Sequence, residues 1–285
     1  MATKTPPVDA PTADAPSITP RGWLRQVRAF TERSLREVRN SWTMLLTVVA
    51  FPAGLQLFYG YQWDGAPETL LASTAIGTGV FGAMYICLYI FGYQLAGDLE
   101  HQRYRAYRSM PVSPSADLVG RMCSGLLLAT VAFILTLAAG VLTGATFGLQ
   151  SMASVPIVIG AFTLTCLIWM VFALPFIVYA KNERVAEYAV PLLALFGYMF
   201  TGLNGTDTSF SPIDGEVLNY LPNTLPTRLL MYHLVPEASW EESGAVPPEL
   251  PTGIEFLAVL GGYGVVALLV GTLIVTSVLY GGRSQ

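Results

Sequence analysis

Long apolar stretches without charge alternate along this chain with short clusters of arginine and acid. Uncharged stretches of 18 or more residues make room for six crossings, each close to the roughly 20 residues that a helix needs to span a bilayer. They place spans at about Thr43–Tyr61, Leu71–Ala96, Leu118–Phe147, Pro156–Ala180, Tyr188–Leu203 and Phe256–Tyr280. The period-two alternation of a transmembrane barrel is missing from them. Pro52 predicts a kink in the first span, which a helix bundle tolerates. Glycines 77, 79 and 82 in the second span predict close helix packing. The expected fold is an all-α membrane protein with six transmembrane helices.

The segments between the spans are of different kinds. Residues 1–20 hold five prolines and no apolar core, the composition of a disordered tail, and they lack the apolar run of a secretory signal. Residues 21–42 carry a helical period. Trp23, Leu24, Val27, Phe30, Leu35, Val38 and Trp42 fall within an arc of about 140°, with Arg21, Arg25, Arg28, Arg36 and Arg39 opposite. Such a helix lies in the membrane interface, its arginines towards lipid phosphates. Residues 98–117 are the densest charge cluster inside the membrane domain (43–282). Arg103, Arg105 and Arg108 precede Pro111 and Pro114, which predicts a short charged helix stopped by proline. Asp117 is expected at the cap of the third span. This loop is either a docking handle for a partner or a solvated loop that only sets topology. A long outer segment, 204–253, holds an apolar patch cut by Pro222 and Pro226. Two short re-entrant helices there would bury Leu218, Leu221, Leu225, Leu229 and Leu230.

Charge sets the orientation. With both termini on the cytoplasmic side, 14 of the 15 Lys and Arg fall inside and only Arg228 outside, as the positive-inside rule requires. Hydrophobic residues make up 53% of the chain and charged residues 12%, about half the charge of a soluble domain. Length leaves no room for a large soluble domain beside six spans. The three cysteines, Cys87, Cys123 and Cys166, sit in or beside apolar runs and read as packing residues. His101 and His233 lie in separate loops, so no metal site is expected.

Catalytic chemistry is missing from the sequence. There is no GxxxxGK[ST] phosphate loop and no GxSxG, HExxH or CxxC pattern, so the chain itself is expected to be no enzyme and to bind no nucleotide. No Asp, Glu, Lys, Arg or His sits near the middle of any span, which disfavours a proton-coupled carrier. Gln56 and Gln94 are the notable polar side chains in the spans, and packing hydrogen bonds account for them. Phe81, Tyr85, Tyr89 and Tyr93 recur every four residues, a stripe suited to helix packing or to ligand contact. The machinery reads as passive, with its energy supplied from outside.

In this order the features resemble the ABC-2 type permeases, membrane subunits of many bacterial and archaeal ABC exporters. The likeness rests on four local matches between Arg21 and Tyr280. The amphipathic helix Arg21–Asn40 leads directly into the first span. Asp98, Glu100 and Arg103 precede Ser109-Met110-Pro111-Val112-Ser113-Pro114, which is similar to loops of the daunorubicin-resistance type. Phe200-Thr201-Gly202 ends the fifth span and Phe210-Ser211-Pro212 follows. Leu221-Pro222 with Pro226 precedes the last span. Two departures stand out: Tyr104-Arg105 replaces the small Gly-Thr pair of the family, and the Asn-Pro and arginine usual after the outer Leu-Pro are missing.

The resemblance implies a permease in the plasma membrane of a prokaryote, paired with an identical or sister subunit as a homodimer or heterodimer. Two separate ATPase subunits would bind the ATP and Mg. Asp98, Glu100, Arg103, Arg105, Arg108 and Pro111 would form the coupling interface with them, and Arg25, Arg28, Arg36 and Arg39 the interface helix beside it. Tyr85, Tyr89, Tyr93 and Phe200 would line the path of a hydrophobic, drug-like or lipid-like cargo. Membrane lipid is an implied partner and nucleic acid is not. The alternative reading is a non-transporting membrane anchor that recruits a cytosolic ATPase or other partner.

Overall fold

The computed structural model describes residues 19–63, 65–180, 183–207, 211–236, 240 and 249–281. Residues 1–18 of the expected disordered tail, Phe210, and residues 237–239 and 241–248 lie outside the described residues, while Thr19 and Pro20, also expected in the tail, belong to the start of the first helix. Among the described residues the chain is helical throughout, without strands. Four helices among the described residues are long and apolar enough to cross a membrane: Glu68–Glu100, Pro114–Leu142, Ser154–Val178 and Ile254–Leu279.

Helix α1 spans Pro20–Arg39; Thr19 caps it, its hydroxyl accepting from the Gly22 amide at 3.2 Å, and a proline opens it, where the missing N–H costs nothing. The first predicted span is built in pieces. A short α2, Trp42–Leu45, passes through a π-helical turn, Leu46–Ala50, into α3, Phe51–Gln62. Pro52 accounts for the widened turn: it offers no N–H to the residue four back, and its ring crowds that carbonyl.

Helix α4, Glu68–Glu100, is the axis of the molecule. It packs against α3, α6 (Pro114–Leu142), α7 (Ser154–Ala180) and α8 (Glu183–Phe200). Its most apolar window is 89% buried, against 28% for that of the last helix, which begins at Ile254. Small residues make this possible. A Cβ on Gly77 would stand 2.7 Å from the Leu203 carbonyl oxygen, so only glycine admits that backbone.

The short α5, Arg103–Ser109, joins α4 to α6. After α8 come the turns α9 (Gly202–Gly205) and α10 (Gly215–Leu218), then α11 (Thr224–Leu234) and α12 (Ile254–Ile274), which ends in a π-helical turn, Val275–Leu279. Leu218, Leu225, Leu229 and Leu230 are buried and Leu221 half-buried. Large apolar side chains stay exposed on α6 (Leu127, Ile134), α8 (Leu192, Phe196) and α12 (Val266, Leu269). On a chain of mean hydropathy +0.53, such faces belong to a multi-pass membrane protein.

Candidate functional site

The charged loop is built differently from its sequence expectation. Helix α4 runs on to Glu100, so Asp98 sits on the end of a long helix. Gln102 takes a left-handed φ of 54°, which breaks the helix and turns the chain into α5. Helix α6 starts at Pro114, with Ser113 extended before it. Asp117 is therefore no cap: it lies in the first turn of α6 and is buried.

Asp98 has no exposed surface at all. Its Oδ1 accepts from Arg33 Nη2 at 2.6 Å and Arg103 Nη1 at 2.7 Å. Its Oδ2 accepts from Arg121 Nη2 and from the Tyr107 hydroxyl at 3.3 Å. Arg121, itself buried, also donates from Nε to Asp117 Oδ1 at 2.7 Å. Asp117 Oδ2 takes the hydroxyls of Tyr104 and Tyr280, each at 3.1 Å. Arg33 completes the cluster by donating to the Tyr107 hydroxyl and, at 3.2 Å, to Glu37. One network thus ties α1, α4, α5, α6 and the end of the last helix together. A buried charge is tolerable only when paired and hydrogen-bonded in this way.

Burial works to lower the pKa of Arg33, but the hydrogen bond and charge of Asp98 outweigh it and hold the guanidinium well above its ordinary value. Burial, then the Asp98 charge, pushes the Tyr107 phenol up.

Helix α1 also grips the loop backbone. The Gln26 side chain donates to the Pro111 carbonyl at 2.9 Å and accepts from the Ser113 amide at 2.8 Å. Trp23 Nε1 donates to Ser115 Oγ at 2.9 Å. Thr31 Oγ1 donates to the Gly120 carbonyl at 2.9 Å, and a Cβ on Gly120 would come 2.7 Å from the Val27 carbonyl oxygen. The apolar stripe expected on α1 therefore splits. Val27, Phe30 and Val38 turn inwards, while Leu24 and Trp42 are 60% and 72% exposed.

Of the loop residues singled out in the sequence, Glu100, Arg103, Arg105 and Pro111 are exposed and Arg108 is half-buried. Asp98 departs from the expectation of a surface handle, because the arginines of three neighbouring elements enclose it. Arg25, Arg28, Arg36 and Arg39 all lie exposed on α1, and Arg28 pairs with Glu32 at 2.5 Å. The arginine of α1 that reaches the cluster is Arg33. Sequence reasoning missed it, together with Gln26, Tyr104, Tyr107 and Arg121. The available signal was spacing: Arg33–Glu37 and Asp117–Arg121 are both i,i+4 pairs, the separation at which helical side chains meet.

Tyr85, Tyr89 and Tyr93 form a stacked ladder on α4, with ring centroids 5.8 and 6.1 Å apart. It continues through Phe81, 6.2 Å from Tyr85, to Tyr198 on α8, 4.5 Å from Phe81. All three tyrosines are half-buried on an otherwise buried stretch of helix. Phe200 stands apart from the ladder: 45% exposed, it stacks on Phe196 at 5.4 Å. Gln94 donates to the Ser34 carbonyl at 3.1 Å, while its Oε1 is buried without a partner. Gln56 departs from the expected packing hydrogen bond: it is fully buried with neither amide atom bonded.

At the opposite end of the molecule, residues 202–205 all have positive φ, 64°, 54°, 61° and 80°, a left-handed turn that is costly at Leu203 and Asn204. Arg228, fully buried, clamps it by donating to the Gly205 carbonyl at 2.9 Å, to Asn219 Oδ1 at 2.6 Å and to the Glu249 carbonyl at 2.7 Å. Asn223 donates to Asn204 Oδ1 at 3.1 Å and to Thr201 Oγ1 at 2.8 Å. Burial lowers the Arg228 pKa to about 10.

The ABC-2 type transporter family model matches residues 25–210. No curated protein matches the chain significantly. The matched range runs from the arginine-bearing α1 through the enclosed Asp98 cluster to the left-handed turn after α8, well over half of the 285 residues. The chain belongs to the ABC-2 type transporter family and is a membrane permease component of an ABC transporter.

Proposed function

We propose that this protein is the permease subunit of an ATP-driven exporter for a hydrophobic, drug-like or lipid-like cargo. Two copies of a separate ATPase subunit seat on the exposed surface of α5 and its flanks, at Glu100, Arg103, Arg105, Arg108 and Pro111. ATP and Mg are bound by those subunits. The permease works as a homodimer or heterodimer in the plasma membrane of a prokaryote. In this reading α2–α3 and α8 are crossings as well, which makes six, both termini are cytoplasmic, and α10 and α11 re-enter from the outer side. Tyr85, Tyr89 and Tyr93 line the cargo path.

The observation that carries the proposal is the Asp98 network. A displacement applied to α5 reaches α4 through Arg103–Asp98 and Tyr107–Asp98, and reaches α6 through Tyr104–Asp117. It reaches α1 through Arg33. A loop bonded in this way to three helices moves them as one body, which is how a rigid-body switch transmits force. The exposed arginines of α1 rest at the phosphate level of the inner leaflet.

The test is a double charge reversal, Glu100→Arg with Arg105→Glu, in the complex purified with its ATPase. The expected result is a folded, inserted permease with cargo-stimulated ATP hydrolysis lost. Unchanged export by this variant, or repeated native purification without any ATPase subunit, overturns the reading.

A further inference from the structure

Four arginines lie between residues 98 and 121, and three of them are already engaged. Arg103 pairs with Asp98 at 2.7 Å, Arg121 with Asp98 and Asp117, and Arg105 also has a partner within the chain. Around the cluster the charges balance, since Arg33, Arg103 and Arg121 meet Asp98, Asp117 and Glu37. Arg108 is the exception: among the described residues it has no hydrogen bond and no ion pair. It is half-buried on α5, and its Nε is sealed without a partner. The sealed atom is Nε alone; Nη1 and Nη2 reach the surface unbonded. Next along the chain Met110 and Pro111 are both exposed, Met110 to 50%. Gln26 of α1 fixes this end of the loop through the Pro111 carbonyl at 2.9 Å and the Ser113 amide at 2.8 Å.

We infer that Arg108 is the anchor by which α5 recognises the ATPase subunit. Its terminal guanidinium nitrogens take one carboxylate of that subunit, while Met110 and Pro111 meet the apolar side chains around it. The inference rests on the export reading above and adds to it the chemistry of the partner surface: an acidic residue set in an apolar rim. Arginine and methionine are among the side chains that protein interfaces favour, and a guanidinium fork pairs with a carboxylate through two parallel hydrogen bonds. Because packing already holds the stem of Arg108, docking orders less of the side chain and costs less entropy. A lipid phosphate fits worse. One unmatched cation is a weak hold on an anionic membrane surface, which is bound by clusters of basic residues. Met110 and Pro111 carry no side-chain donor for a headgroup.

The ATPase subunit that co-purifies with the native chain is the probe, released from it and returned to the full-length permease in lipid nanodiscs. Arg108→Gln is expected to weaken the Kd between the two about tenfold, the effect of losing one charge-assisted pair. Arg108→Glu, which sets like charges against each other, is expected to weaken it about a hundredfold. Arg105→Gln is expected to cost less than Arg108→Gln, although Arg105 is the more exposed of the two. The melting temperature of the ATPase-free permease stays unchanged in Arg108→Gln, because no bond within the chain is lost. Arg108→Lys gives a direct reading. A zero-length carbodiimide cross-linker joins the introduced amine to a carboxylate, and mass spectrometry is expected to place that carboxylate on an Asp or Glu of the ATPase.

Unchanged affinity in Arg108→Gln, a larger loss in Arg105→Gln, or a fall in melting temperature that accompanies the lost affinity overturns the inference. Cross-links only to acids of this chain, or none at all, overturn it as well. So does an affinity loss seen with phosphatidylglycerol in the nanodiscs and absent in phosphatidylcholine alone, which assigns Arg108 to a lipid phosphate. In each of these cases the ATPase still binds the wild-type chain, and the export reading stands. If no ATPase co-purifies with the wild-type chain, the export reading and the inference fall together.

Discussion

The two polar clusters of this protein hold different things in place. At the α5 end, Arg33, Arg103 and Arg121 surround Asp98, and Asp117 supports Arg121 from behind. At the other end, Arg228 is described with three bonds to neutral oxygens, two of them backbone carbonyls. Asp98 holds the Arg33 guanidinium above its ordinary pKa, while burial takes Arg228 down to about 10. Charge matched by charge joins separate helices and survives their joint displacement, because the partners travel together. The Arg228 bonds to the Gly205 and Glu249 carbonyls hold one backbone conformation, the left-handed turn at residues 202–205. The first cluster is a transmission, the second a brace.

The sharpest way to break this contrast is to remove the shared carboxylate. Asp98→Asn keeps the shape but leaves buried Arg121 and half-buried Arg33 short of a counter-charge, and is expected to cost about 3–5 kcal/mol. Thermal unfolding in detergent reads the loss, and ATP-driven transport is expected to fall further than stability does. A variant of wild-type stability would mean that the arginines pair elsewhere. Next in size is Arg228→Met, which frees the Gly205 and Glu249 carbonyls and is expected to cost about 2–3 kcal/mol. Its ATPase coupling is expected to stay intact, and coupling lost at wild-type stability would erase the distinction between brace and transmission.

Smaller again is Gly120→Ala, whose Cβ meets Val27 backbone and Phe30 at under 3 Å. Lifting α1 off α6 is expected to cost about 1–3 kcal/mol. Faster protease cleavage within α1 checks it, and an unchanged rate would show that α1 is not seated by this contact. The smallest effect concerns pH. Burial lowers the His233 pKa, and its Nδ1 lies 3.0 Å from Ser154 Oγ. Below the ordinary value near 6.5 the unfolded chain then binds more protons than the folded one, so stability falls as pH falls and is regained above it. His233→Gln is expected to flatten the melting temperature between pH 5.5 and 7.5. A slope that persists in this variant would assign the acid sensitivity elsewhere.

Much of the bundle was legible because apolar runs and helical spacing are local properties. The second, third, fourth and sixth apolar runs became long helices, and proline and the arginine cluster announced the short helix between α4 and α6. The role of Asp98 was not legible. In the sequence it stands beside Glu100 in a charged loop, and nothing local says that one is sealed and the other exposed. That difference arises because α4 continues through both positions and turns Asp98 towards α1 and α6. Arg33 was hidden for a related reason: its partners Asp98 and Tyr107 lie 65 and 74 residues away.

The sequence by itself determined that this chain is a helical membrane protein with an arginine-bearing first helix and a charged loop after its second apolar run. Those features depend on hydropathy, period and charge count, which belong to short stretches of chain. Tertiary structure alone decided which charges are sealed together, that the Gln94 oxygen is buried, and that a left-handed turn is held by Arg228. These depend on distances between residues far apart along the chain, and only the packing of α4 against its neighbours sets them.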